Sequence, residues 1–282
     1  MKTIIYFTSL FTLFFLMSCG PSPKQVNKSN TEQSISQDSA KAMLRQAYQL
    51  FKEGDDAGSI ELANTVLEIG RNTENDTLIG RALTSLCRNA QRKLDTTRLT
   101  ELSDELVALS TKTGNKQWLM YRAHMNAEMW RLIGNMERAD SFYDESMKIS
   151  AAIGATGMYT IDHFNKSFVS TAKGDFKAAN GLIKKYYQLR KEAGQEADDA
   201  YGLIALSYLL EQQKNYAGAH EVAVVTRRLF EEQNLFPEPP DEKPLLQVEA
   251  KVQEMLGASE LEKISNSSSS ESVANLLDKY LK

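Results

Sequence analysis

Apolar residues across positions 39–235 fall three and four apart, as along one face of a helix, and the whole pattern returns every 40 residues. Two columns are apolar in all five copies. The first is Leu62, Leu102, Phe142, Leu182 and Val222; the second, two helical turns on, is Ile69, Leu109, Ile149, Leu189 and Leu229. A third column is small: Ala47, Cys87, Ala127, Ser167 and Ser207, where two helices have to approach closely. A mostly small column follows at Ser59, Leu99, Ala139, Ala179 and Ala219.

Polar residues punctuate the same period. Asp55, Asp95, Asn135, Asp175 and Asn215 can cap a helix start by accepting backbone N–H bonds. Just before them stand Gly54, Gly134 and Gly174, with Leu94 and Lys214 in the other two copies, at a tight interhelix turn. Each unit closes on Gly114, Gly154, Gly194 or Asn234, with Glu74 in the first, where a left-handed residue ends a helix. The unit therefore reads helix, turn, helix, stop, and no alternating strand pattern competes with it. The prediction is an all-α protein, an α-solenoid of antiparallel helix pairs with about five repeats and a C-terminal capping helix.

These columns resemble tetratricopeptide repeats, best in GNMERADSFYDESMKI from Gly134 to Ile149 and in GDFKAANGLIKKYYQL from Gly174 to Leu189. The period of 40 exceeds that family's usual one, and its proline after the second helix is missing: Arg71, Thr111, Ala151, Lys191 and Glu231 stand there. Longer helices account for both departures. The resemblance implies a right-handed solenoid whose first helices line a concave groove that binds a protein or peptide. The 40-residue variety is more similar to the helical repeats of bacterial signalling and regulatory proteins than to short-repeat cochaperones.

The two ends read differently. Lys2 and the apolar run from Ile4 to Met17 resemble a secretory signal over residues 1–18, too short to span a bilayer comfortably. Leu16-Met17-Ser18-Cys19-Gly20 resembles the lipobox of bacterial lipoproteins, which implies cleavage before Cys19 and acylation of that residue, with palmitate-type chains as the anchor. Gly20 is not the Asp of the inner-membrane retention rule, so the outer membrane is expected, periplasmic or surface side open. Residues 19–38, rich in Ser, Asn, Gln and Lys, read as a flexible tether. Residues 236–282 read as a capping helix from Leu245 to Leu256, a serine linker from Ser265 to Ser270 and a short amphipathic terminal helix.

Composition narrows the function. A formal charge of -4 gives no overall attraction to nucleic acid. Beyond Cys19 the one cysteine is Cys87, so no intramolecular disulfide forms, and its place in the small column marks it as a packing residue. His124, His163 and His220 lack metal-ligand spacing, and no HExxH, phosphate-binding Gly loop or Gly-x-Ser-x-Gly elbow occurs. No enzyme, no metal and no cofactor is expected.

The resemblance places a stripe of each first helix in the groove. It holds Lys41, Leu44 and Tyr48; Arg81, Thr84 and Arg88; Tyr121, His124, Glu128 and Arg131; Ile161, Phe164 and Phe168; and Tyr201, Ile204, Tyr208 and Glu211. The amino-terminal part is basic and the rest aromatic, which suits an acidic peptide with apolar side chains. Phe164, Phe168 and Tyr208 fit interhelix packing equally well, and Trp118 and Trp130 are assigned to the core. The expected function is a membrane-anchored scaffold or receptor. The alternatives are a part of an envelope assembly complex and the sensor module of a signalling system.

Overall fold

The computed structural model describes residues 28–195, 200–234, 237 and 239–281. The signal segment, the lipobox with Cys19, and the first part of the expected tether lie outside the described residues. Thirteen helices occur among those described: α1 (Lys28–Glu53), α2 (Asp56–Asn72), α3 (Asp76–Arg92), α4 (Thr96–Thr113), α5 (Gln117–Ile133), α6 (Met136–Ile153), α7 (Thr156–Ala172), α8 (Phe176–Glu192), α9 (Ala200–Gln212), α10 (Tyr216–Glu232), α11 (Pro239–Met255), α12 (Ala258–Ser268) and α13 (Val273–Tyr280). The chain divides into two units, residues 1–39 and 40–282. The second unit is an all-α, TPR-like solenoid in which α1–α2 through α9–α10 form the five helix pairs. Consecutive first helices touch one another, α3 on α5, α5 on α7, α7 on α9 and α9 on α11.

Why the pairs form is visible at their turns. Asp55, Asp95, Asn135, Asp175 and Asn215 each accept the backbone N–H three residues on, at 2.9–3.1 Å, and so cap the second helices. Their own N–H groups reach back to the carbonyls of Leu50, Ala90, Trp130, Ser170 and Leu210 at 2.8–2.9 Å. That back-bond needs a left-handed residue just before the cap. Gly54, Gly134 and Gly174 supply it, but so do Leu94 and Lys214, at φ 54° and 64°.

A side chain in that region costs energy that glycine does not. Leu94 is 47% exposed and loses little contact if removed. Leu94→Gly is therefore expected to stabilise the fold by about 0.5–1 kcal/mol. A thermal melt should rise by about 2–4 °C per kcal/mol, and an unchanged or lower midpoint would count against strain at this turn.

Packing follows the small columns more closely than the apolar ones. Ala47, Cys87, Ala127, Ser167 and Ser207 are all fully buried. Leu102, Leu109 and Val222 are buried too, but Leu62, Phe142, Leu182, Ile69, Ile149, Leu189 and Leu229 sit half-buried at the edge of the seam. A stripe buried in every repeat lies one residue further along, at Ala63, Ser103, Tyr143, Ile183 and Ala223. Serines of the second helices bond the next first helix, with Asn89 Nδ2 donating to Ser59 Oγ at 3.0 Å and Asn126 Nδ2 to Ser103 Oγ at 2.9 Å.

The structure departs from the sequence reading at both ends of the stack. α1 begins at Lys28, inside the segment read as tether, because no Gly or Pro stands between there and Gly54 to stop a helix. Past Asn234, α12 packs on α10, and α11 packs on α9 and α10. Leu245, Val248 and Val252 of α11 are buried. Ser265 to Ser268, read as linker, are the last residues of α12. Ser267 and Ser268 hydroxyls donate to the carbonyl of Ile264, which lets serine continue a helix that propensity alone would end. α13 then follows over Val273–Tyr280.

Apolar burial is not continuous along the stack. One cluster runs from Ala40 to Met129 and another from Phe164 to Leu281. Between them lies a small group, Ala127, Ala139, Tyr143 and Val169, beside several buried polar side chains.

Candidate functional site

A cleft of about 460 Å³ opens across the first helices α1, α3 and α5. α1 contributes Lys41, Leu44, Arg45 and Tyr48, α3 contributes Arg81, Thr84, Ser85 and Arg88, and α5 contributes Trp118 and Tyr121. Four cations line it and, among the described residues, no carboxylate does. Arg71, Arg92, Arg98, Arg122, Arg131 and Arg227 each hold a carboxylate elsewhere. Arg45, Arg81 and Arg88 hold none among the described residues. The guanidinium of Arg88 instead lies 4.8 Å from the ring centre of Tyr48 and 5.8 Å from that of Phe51. Tyr48 is stacked on Phe51 at 6.5 Å and is itself 43% exposed.

The back wall of the cleft depends on a glycine. A Cβ on Gly80 would stand 2.5 Å from the indole of Trp118, so the ring lies flat against the α3 backbone only because that atom is missing. Trp118 is 4% exposed and tilts towards Tyr121 at 6.3 Å. The hydroxyl of Tyr121 accepts from Gln117 Nε2 at 3.2 Å.

Of the groove residues expected from sequence, the structure brings Arg81, Arg88 and Tyr121 together in this cleft with Lys41, Leu44, Tyr48 and Thr84. It places the others differently. His124 and Glu128 are buried, and the Arg131 side chain is 8% exposed, within a polar network in the interior. Phe164 and Phe168 are core, ring to ring at 5.0 Å, with Tyr186 5.5 Å from Phe164. Ile204 is fully buried. Tyr201 packs on Phe230 at 5.4 Å, and Tyr208 on Phe168 at 5.9 Å. Ile161 remains 46% exposed. The aromatic part of the stripe thus serves packing, because the long helices bring adjacent first helices together over it.

In the interior network, Asp162 on α7, fully buried, bonds His124 Nδ1 at 2.7 Å and accepts from Ser146 Oγ at 2.5 Å. Glu128 accepts from Arg131 Nη2 at 2.7 Å and from the hydroxyl of Tyr143. Burial alone would raise the Glu128 pKa, yet the charges of Arg131 and His124 and these hydrogen bonds hold it below 4.5. Burial pulls His124 down, but Asp162, with help from Glu128, outweighs that and leaves it above 6.5, against the charge of Arg88. These groups make a paired structural unit.

Cys87 is free and buried, and burial pushes its thiol up to about 12, which keeps it from acting as a nucleophile. Among the described residues, no three His, Cys, Asp or Glu side chains gather where they could hold a metal ion. No described helix is long and apolar enough to cross a membrane.

Sequence reasoning missed Arg45, one turn from Lys41, by drawing the groove stripe too narrow, and it assigned Trp118 wholly to the core. Asp162 was invisible to it. That column carries Ala42, Ala82, Arg122 and Gly202 in the other repeats, so no regularity marks it.

No protein-family model matches the chain, and no curated protein matches its sequence. Its fold is similar to that of the apo form of RapI, with a TM-score of 0.52 and 14% identity over 82% of this chain and 94% of that one. It is also similar to a Podosopora anserina kinesin light chain with nearly identical TPR-like repeats, at a TM-score of 0.48 and 14% identity over 76% of this chain and 97% of that one. At such identity the likeness to RapI is one of fold, an all-α TPR-like solenoid.

Proposed function

We propose that this protein is a lipid-anchored, non-catalytic interaction protein of the bacterial cell envelope that holds a partner protein on the face of its first helices. One observation carries the reading: three arginines without an ion-pair partner among the described residues, Arg45, Arg81 and Arg88, gather with aromatic side chains in one cleft of a TPR-like solenoid. Unpaired, clustered guanidinium groups are costly to keep together and are of use when an anionic partner completes them. The anchor rests on the lipobox resemblance around Cys19, and the outer membrane is its expected site.

In-cell photo-crosslinking tests both parts. A photo-reactive residue at Tyr48, in the cleft, is expected to give one dominant adduct, while the same residue at Ala108, exposed on α4, gives none. In the same cells Cys19→Ser should move the protein from the membrane pellet to the soluble fraction. Adducts from Ala108 alone, or from both positions alike, would remove the face assignment. A Cys19→Ser protein that stays in the pellet would remove the anchor.

A further inference from the structure

We propose that the occupant of the cleft is a short extended segment of a protein chain with two acidic side chains flanking an aromatic one; this rests on the reading of the first-helix face as the contact surface. The charge argument sets the number of anions. Arg45, Arg81 and Arg88 line one space with no ion pair of their own and no lining carboxylate among the described residues. A single carboxylate satisfies one guanidinium fork, so one acidic side chain would leave two of the three arginines unmatched, and a segment that carries more than one is favoured.

Preorganisation points the same way. Arg88 is stacked on Tyr48, which fixes its plane and leaves its N–H edge for a planar, bidentate acceptor such as a carboxylate. A held guanidinium has already lost much of the rotamer freedom that binding would cost.

The aromatic element follows from the back wall. Trp118 is 4% exposed and makes no hydrogen bond through its indole N–H among the described residues, and it lies beside Tyr121 on the same side of the cleft. Gly80 is the residue that lets the indole lie there. Together these present an apolar, aromatic surface to whatever enters between the cations, and an aromatic side chain meeting it edge-on or offset gains beyond its buried area. The volume, about 460 Å³, is that of a small-ligand site. A few extended residues fill that volume.

The test is calorimetric titration of the purified full chain with end-blocked tripeptides, so that only side-chain carboxylates are present. Glu-Phe-Glu is expected to bind at least about ten-fold more tightly than Gln-Phe-Gln and than Glu-Ala-Glu, and to weaken steeply with added salt. Arg81→Gln and Arg88→Gln should each cost about ten-fold with an unchanged circular dichroism spectrum, since neither side chain is part of the core. Gly80→Ala, which displaces Trp118, should reduce the preference for Phe over Ala while leaving the preference for Glu over Gln. If that variant fails to fold, the Glu-Ala-Glu arm alone still decides the aromatic element.

Equal binding of the Gln peptide would overturn the acidic requirement. Inorganic phosphate binding as tightly as Glu-Phe-Glu would overturn the peptide. No heat with any peptide would overturn the ligand class. In that last case, a Tyr48 adduct that still disappears in Arg81→Gln/Arg88→Gln cells leaves the contact surface standing, whereas an adduct indifferent to both arginines removes the surface as well.

Discussion

Glu128→Gln is expected to lower the free energy of unfolding by about 3–5 kcal/mol, the cost of leaving a buried guanidinium without its carboxylate. The Arg131 and Glu128 side chains are 8% and 10% exposed and 2.7 Å apart, with the Arg131 Nε already lacking a hydrogen-bond partner among the described residues. Tyr143, fully buried, donates to the same carboxylate. Glutamine keeps the shape and an acceptor for Tyr143 but removes the charge, so the effect reports electrostatics and not a cavity. Glu128→Gln/Arg131→Met should recover a large part of the loss, because replacing both members of a buried pair is often close to neutral. Urea unfolding followed by circular dichroism decides this. A single variant that loses under about 1 kcal/mol, or a double variant weaker than the single, would show that the pair is not what holds this junction.

The position of that network gives it weight beyond one ion pair. It stands between the two apolar clusters, on α5, α6 and α7, with Arg131 reaching the face of Phe168 at 5.7 Å. In a solenoid each repeat is supported by its neighbours, and stability passes through the interfaces between them. Weakening this interface should therefore broaden the urea transition or split it in two.

How much of this was legible follows from what a period can show. The caps at Asp55, Asp95, Asn135, Asp175 and Asn215 were readable because one backbone geometry, repeated, demands one kind of side chain. The fully buried small column was readable for the same reason, since close helix approach excludes large residues wherever it recurs. Leu94 and Lys214 show the limit, because the turn keeps its left-handed residue even where the side chain opposes it. The buried stripe from Ala63 to Ala223 was not readable, as each interface fills its own space with Ala, Ser, Tyr or Ile. Seven of the ten residues that line the candidate cleft stood on the expected stripe. The rest was hidden because Trp118 is both core and wall, and because His124, Glu128 and Arg131 share that stripe's spacing while three-dimensional neighbours, Asp162 and Tyr143, draw them inside.

Asp162→Asn is expected to cost about 3 kcal/mol near neutral pH and to abolish a pH dependence that the wild-type protein shows. Burial disfavours the His124 imidazolium, but the hydrogen bond and charge of Asp162 on α7, with Glu128 on α5, more than offset it, while Arg88 on α3 opposes them. The folded protein therefore holds this proton more tightly than the unfolded chain does. Its stabilising contribution is complete below about 6.5, the ordinary histidine value, and is lost as the pH rises through the higher value of the folded state. Wild-type stability should accordingly fall on the alkaline side of neutrality, measured as urea midpoints in a series of buffers. In Asp162→Asn the strongest favourable partner is gone and only Glu128 is left against burial and Arg88, so the midpoint should no longer fall across that range. A wild-type midpoint that is flat there, or a slope that survives in Asp162→Asn, would show that the His124–Asp162 pair is not the group that titrates. Ser146→Ala separates the two bonds that Asp162 makes, for it removes the 2.5 Å contact to the carboxylate and leaves the imidazole in place. That variant should lower stability at every pH and keep the slope.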